Sequence, residues 1–205
     1  PNAGDGDGRD VDASDPGDFI SASDAGDPNL QAVCGSDLAP YNSSWHGTRV
    51  AGIVGAAGNN SVGIAGVSWG AKILPVRVLG KCGGFDSDIM AGMRWAAGLS
   101  VPGVPNNPNP AKIINLSLGG SGSCTSAYAD TIAELAGQGA LVVAAAGNET
   151  GPVNAPGNCA GVLAVAGVRH VGTKVGYSSF GPEVSVSAPA GNCVNAYGPC
   201  LYSID

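Results

Sequence analysis

Residues 140–148, ALVVAAAGN, are apolar without a break up to their closing Gly-Asn, and they follow a helical stretch that ends in glycine. A short continuous apolar run of this kind predicts a strand buried on both faces of a sheet. The segments before it alternate in the same way. AKILPVRVLG (71–80) predicts a strand, and DSDIMAGMRWAAG (86–98) a helix capped by Ser87 or Asp88. AKIINLSLGG (111–120) predicts the next strand. CTSAYADTIAELAGQG (124–139) predicts a helix with Ala129, Ile132, Ala133, Leu135 and Ala136 on one side. A β-α-β-α-β order of this kind predicts an α/β fold, a doubly wound and mostly parallel sheet with helices on both faces. Ligands of such sheets bind outside the carboxyl ends of the strands, which singles out SLGGSG (117–122) and AGNET (146–150). Shorter β runs follow, GVLAVAGV (161–168), VGYSSF (175–180) and EVSVSAP (183–189), between proline and glycine turns. No repeat or low-complexity linker divides residues 1–205, so one domain is expected.

At 44% apolar and 12% charged residues, the chain is far from the composition that stays unfolded, and 205 residues suffice for a sizeable core. The net charge of −7 is uneven: residues 1–37 hold nine aspartates against Arg9 alone, and the remainder is almost neutral. Nothing in that remainder suggests a nucleic-acid footprint or a basic membrane-binding face. No apolar run reaches the ~18 residues of a membrane span. A monomer is expected. No signal peptide is visible, and a chain opening PNAGDGDGRD without methionine is expected to have lost its beginning. Six cysteines, at 34, 82, 124, 159, 193 and 200, form no C-x-x-C pair and have no neighbouring histidines, which favours disulfides over zinc. Spacing alone suggests only the pair Cys193 and Cys200, separated by turn formers.

SSWHGTRVAGIVGAAG (43–58) predicts a helix despite four glycines and carries one of the two histidines. Interior glycines cost about 1 kcal/mol each, so their presence calls for a reason. Val50, Ile53 and Val54 make an apolar face, while Gly47, Ala51, Gly52, Gly55 and Ala56 leave the rest bare enough for close backbone approach. These features predict a central, buried helix that projects His46 from its first turn into a cleft.

Within it, HGTRVAG resembles the histidine box of the subtilisin-like serine proteases, usually H-G-T-H-V-A-G, with Arg49 the one departure. Arg49 is expected to alter local charge rather than remove the chemistry. INLSLGG (114–120) is similar to the substrate-binding strand of that family, and VVAAAGN (142–148) to the segment ending in its oxyanion-hole asparagine. Three motifs in the family's order are far more specific than one. The similarity is strongest over residues 44–190, with residues 1–43 forming an acidic loop region.

The resemblance implies a serine endopeptidase acting on protein or peptide substrates. Acyl-enzyme chemistry needs a nucleophile, a base, a carboxylate that orients the base, and donors for the developing oxyanion. The resemblance makes His46 the general base and Asn148 the oxyanion donor. Ser117, Leu118 and Gly119 would offer main-chain hydrogen bonds to an extended substrate, with room provided at Gly119 and Gly120. Ala144, Ala145 and Gly147 would line the specificity pocket. The cysteines point to a secreted bacterial branch and imply the pairs Cys34–Cys82, Cys124–Cys159 and Cys193–Cys200. His170, in GVRHVGTK, matches no motif and is expected in a surface loop.

The triad aspartate and serine are not recognisable. Asp24, in SDAGDP, follows too polar a segment to end a central strand. Ser187 precedes Ala-Pro but lacks Gly-Thr before it and lies in a strand-like alternation. The chain is therefore expected to be an internal fragment, inactive by itself. A catalytically silent relative that binds peptides or serves as a scaffold is the alternative. A nucleotide-binding α/β domain is disfavoured, since no G-x-G-x-x-G turn links strand to helix.

GDGDGRDVDASDPGD (4–18) packs six aspartates into fifteen residues. It departs from the EF-hand pattern, yet a turn-rich, oxygen-rich loop suits a hard cation. One structural calcium is expected there, with Asp5, Asp7, Asp10, Asp15 and Asp18 as suppliers.

Overall fold

The computed structural model describes residues 8, 9, 12, 14–191 and 200–204, and these form two compact units. The first spans the chain up to Pro108 together with residues 203–204; the second spans Asn109–Tyr202.

Among the described residues the first unit carries four helices, α1 (Ala22–Ala25), α2 (Pro28–Cys34), α3 (His46–Gly55) and α4 (Asp86–Ala96). The stretch before residue 43, expected to be loop, thus contains two of them. Asp27 caps α2 by accepting the Asn29 N–H, and Pro28 stands at the first helical position, where its missing N–H costs nothing. Ile20 and Tyr41 exchange backbone hydrogen bonds at 2.9 and 3.0 Å. A disulfide joins Cys34, at the end of α2, to Cys82. Ile20, Leu30, Ile89, Met93 and Val101 are buried.

Two expectations fail in this unit. Residues 71–80 form no strand; Gly80 alone bridges, to Gly83. A strand exists only where a neighbour completes its ladder, no described segment does so here, and Pro75 removes a donor from the middle. Helix α4 does form where expected, but Phe85 occupies its N-cap position and no side chain caps it. Ser87 and Asp88 lie inside its first turn, where Asp88 binds Arg9 at 2.6 Å.

The second unit is a four-stranded parallel sheet in the order β1 (Ile113–Leu116), β2 (Leu141–Ala145), β3 (Val162–Val168), β4 (Val184–Pro189). Helix α5 (Ser126–Gly137) connects β1 to β2 and packs on β2. Thr125 caps it, its hydroxyl accepting the Tyr128 N–H. The architecture is α/β with parallel strands, as the alternation predicts.

The faces differ from expectation. In α5 the buried side chains are Tyr128, Thr131, Ile132 and Leu135, at i, i+3, i+4 and i+7, while Ala129, Ala133 and Ala136 are exposed. The stripe with the larger side chains removes more surface from water, and the Thr131 hydroxyl is satisfied by the Ala127 carbonyl. Strand β2 is buried on one face only: Val142 and Ala144 are covered, Leu141 and Ala145 exposed. Residues 175–180 are not a strand but a loop stitched back onto the turn after β2. Ala146, Val153, Ala164 and Ala166 make a small-residue core against Val184. A second disulfide joins Cys124 and Cys159. Cys200 is also disulfide-bonded; Cys193, its expected partner, lies outside the described residues.

Candidate active site

His46 is the first residue of α3. The residue before it, Trp45, adopts a left-handed conformation with φ 49° and makes no side-chain cap. The turn is held from the other side. Both the Ser44 N–H and the Ser44 hydroxyl donate to the Asp18 carboxylate, at 2.6 and 2.8 Å, and the Ser44 Oγ accepts the His46 N–H at 3.4 Å. The Phe19 N–H donates to Ser43 Oγ at 3.2 Å. With the Ile20–Tyr41 pair, residues 18–20 are thus zipped to residues 41–44. Burial alone would raise the Asp18 pKa, but the two Ser44 hydrogen bonds and the charge of Arg77 outweigh it and hold the carboxyl below its usual range.

Helix α3 is not the buried rod its sequence predicts. His46 and Arg49 are exposed, and only Gly52 is buried. The bare positions nevertheless accept close neighbours. A Cβ on Gly66 would lie 2.5 Å from the Gly55 Cα, and one on Gly52 would meet the side chains of Ser203 and Ile204. The Ser203 hydroxyl donates to the Arg49 carbonyl at 2.5 Å. The glycines serve tight contact, as expected, but at a surface helix with one covered stripe.

In the second unit, β1 and β2 are parallel neighbours with Leu116 opposite Ala144. Their carboxyl ends therefore leave the sheet at the same edge, which brings Ser117, Leu118 and Gly119 beside the Gly147-Asn148 turn. Gly119 has a reason other than room for substrate. A Cβ there would stand 2.8 Å from the Ala155 carbonyl oxygen, the same oxygen that accepts the Gly120 N–H. Ala144 faces the core and Ala145 is exposed, as pleat alternation requires.

Asn148 is exposed on a bend immediately after β2. Its own N–H donates to the Glu149 carboxylate at 2.8 Å. The same carboxylate oxygen, Oε2, accepts the Ser179 hydroxyl at 3.0 Å and the Asn154 amide at 3.2 Å. Ser179 is fully buried; its N–H donates to the Gly147 carbonyl. Hydrogen bonding, led by Ser179, lowers the Glu149 pKa. Gly147 has φ +112°, and a Cβ there would collide with the Glu149 carboxylate and stand 2.9 Å from Ser179 Oγ. Only glycine fits that position. Sequence reasoning missed Glu149, Ser179, Asn154 and Ser44, and named Asp18 without its contact to Ser44. Glu149 was marked by its place directly after the Gly-Asn turn, but Ser179 and Asp18 are brought in from distant segments.

The rejected imitations have other roles. Asp24 completes a capping box with Ser21 on α1 and binds the buried Lys81 ammonium at 2.8 Å. Ser187 lies within β4, opposite Ala166. His170 is exposed at a turn after β3, as expected.

Asp15 and Asp18 already have protein partners. Asp15 binds Arg77 at 3.0 Å and accepts the Gly17 N–H, and Asp18 is committed to Ser44. Among the described residues no group of three or more His, Cys, Asp or Glu side chains converges on a metal position. Asp5, Asp7 and Asp10 lie outside the described residues. No described helix is long and apolar enough to cross a membrane.

The parallel α/β sheet of the second unit suits a subtilisin-like protein, and this chain belongs to the Subtilase family, whose sequence profile matches residues 29–204. It is 47% identical over 195 residues to an extracellular protease of Xanthomonas campestris, covering 94% of this chain and 32% of that protein. It is 44% identical to an extracellular basic protease of Dichelobacter nodosus, covering 95% of this chain and again 32% of the relative. The chain thus spans about a third of the length of these relatives. Among solved structures, a protease of Pseudoalteromonas arctica superposes with a TM-score of 0.82 at 49% identity, covering 92% of this chain and 53% of that one.

Proposed function

We propose that the protein carrying this chain is a secreted serine endopeptidase that cleaves protein and peptide substrates as a monomer, within a single peptidase domain to which both compact units belong. His46 takes the proton from the nucleophilic hydroxyl and returns it to the leaving amine. The Asn148 carboxamide receives the oxyanion, whose charge develops only in the transition state. Ser117, Leu118 and Gly119 pair with the extended substrate, and Ala144, Ala145 and Gly147 wall the pocket for the residue before the cut.

The observation that carries this reading is the shared edge of β1 and β2: the substrate-type strand end and the Asn148 turn emerge side by side. The disulfides Cys34–Cys82 and Cys124–Cys159 favour an oxidising compartment, in keeping with relatives named extracellular. Calcium enters as a structural ion of the acidic opening. Asp5, Asp7, Asp10, Asp15 and Asp18 would supply it, and a fall in Tm on chelation tests it.

The experiment is to treat the gene product carrying this chain, purified and active on casein, with a serine-directed phosphonyl or sulfonyl fluoride. Stoichiometric inactivation is expected. Full activity after treatment would overturn the mechanism.

A further inference from the structure

We propose that Glu149 is a positioning residue for the oxyanion donor: its carboxylate, anchored by the buried Ser179 hydroxyl and by Asn154, fixes the turn that aims the Asn148 carboxamide. This rests on the reading of Asn148 as that donor.

The geometry carries the argument in three steps. First, Glu149 Oε2 gathers three donors on one atom, the Asn148 N–H at 2.8 Å, the Ser179 hydroxyl at 3.0 Å and the Asn154 amide at 3.2 Å. The backbone of the proposed donor is therefore tied to a side chain that is itself held by two further donors. Ser179 also accepts the Glu149 N–H at 3.3 Å, so residue 149 is clasped at both its backbone and its side chain.

Second, the anchors are rigid. Ser179 has no solvent exposure, and its segment is stitched to the turn by Ser179 N–H to Gly147 O, Thr150 N–H to Tyr177 O and Phe180 N–H to Gly151 O, all 2.9–3.0 Å. Asn154 in turn accepts the Gly122 N–H through its side-chain oxygen at 3.3 Å, which reaches the loop following the strand end of Ser117–Gly119. The carboxylate thus ties the Asn148 turn to the segment beside it as well as to the loop beneath it.

Third, the site is shaped around the carboxylate. It occupies the place a side chain at position 147 would need, so glycine there and glutamate at 149 are one arrangement. A donor that must meet charge appearing only in the transition state gains from being fixed beforehand, since no reorganisation is then needed at the moment of reaction. Glu149 supplies that fixity through the three hydrogen bonds its carboxylate accepts.

The test is a double-mutant cycle in the gene product carrying this chain, assayed with a chromogenic peptide anilide. Glu149→Ala is expected to lower kcat about tenfold, the scale of coupling between contacting residues, with KM nearly unchanged. In the Asn148→Ala background the same substitution should change kcat by less than about twofold, because there is no carboxamide left to aim. Glu149→Gln, which keeps an acceptor oxygen at the same place, should recover most of the lost kcat. Should Glu149→Ala not fold, Ser179→Ala is read instead, with the same dependence on Asn148. If Glu149→Ala or Ser179→Ala lowers kcat equally in both backgrounds, or moves KM alone, the proposal is overturned while Asn148 keeps its role. If Asn148→Ala itself leaves kcat unchanged, it is the oxyanion reading that falls, and the proposal with it.

Discussion

The Asp18 carboxylate accepts both the backbone N–H and the hydroxyl of Ser44, at 2.6 and 2.8 Å, two residues ahead of His46. An aspartate from the acidic opening thus fixes the entry to the histidine helix. Asp18→Ala is expected to loosen that entry by about 1 kcal/mol, less than a buried charged hydrogen bond because the pair is largely solvated. Hydrogen exchange should quicken at residues 44–49 and not in α5. Because the Asp18 pKa is held below its usual value, the contribution is present above about pH 4 and lost as the pH falls through the lowered pKa. Unchanged exchange in the variant would contradict this role.

Asp24 gives a second, sharper pH dependence. Hydrogen bonds from Lys81, and then from the Ser21 N–H and hydroxyl, lower its pKa to about 2. A depressed carboxylate stabilises the fold above its ordinary pKa of 3.8 and loses that contribution as the pH falls from there through about 2. Asp24→Asn should be less stable than the parent at pH 7, with the difference shrinking as the pH falls from about 4 towards 2. Parallel urea midpoints at both pH values would sink the assignment.

Gly66 donates its N–H to the Ala56 carbonyl at 2.9 Å, and a Cβ there would stand 2.5 and 2.6 Å from the Gly55 Cα and N. Gly66→Ala should cost ~1–3 kcal/mol through overpacking. Gly70→Ala, where nothing lies within 4 Å of the added carbon, is the control. Equal urea midpoints for the two variants would refute the packing argument.

The Cys124–Cys159 bond closes a loop of 35 residues between the start of α5 and the start of β3. Replacing both cysteines by alanine should lower stability by up to about 4 kcal/mol, the chain-entropy value for that separation. Thermal unfolding of the doubly substituted protein measures it. No change in Tm would show that the crosslink constrains nothing that the sheet does not already hold.

Element type was legible wherever the signal was local. Thr125 with the apolar period after it marked α5, and the apolar run from Leu141 marked β2. The Gly-Asn turn behind β2 and the histidine box were equally plain, because each is a short string whose residues act together. Element environment was not legible. The run Ala129, Ile132, Ala133, Leu135 and Ala136 looked as apolar as the stripe Tyr128, Thr131, Ile132 and Leu135 that is buried, and AKILPVRVLG looked as strand-like as β3.

The sequence by itself determined the family, the helices around His46 and after Thr125, the strands that carry Ser117 and Asn148, and where the chain turns. Tertiary structure alone decided that residues 71–80 form no strand, that β2 is covered on one face, and that Glu149, Ser179 and Asn154 converge beside Asn148. The reason is one of range. Backbone propensity and capping act over a few residues, whereas a ladder, a buried face or a shared carboxylate oxygen needs a partner from a segment distant in the chain.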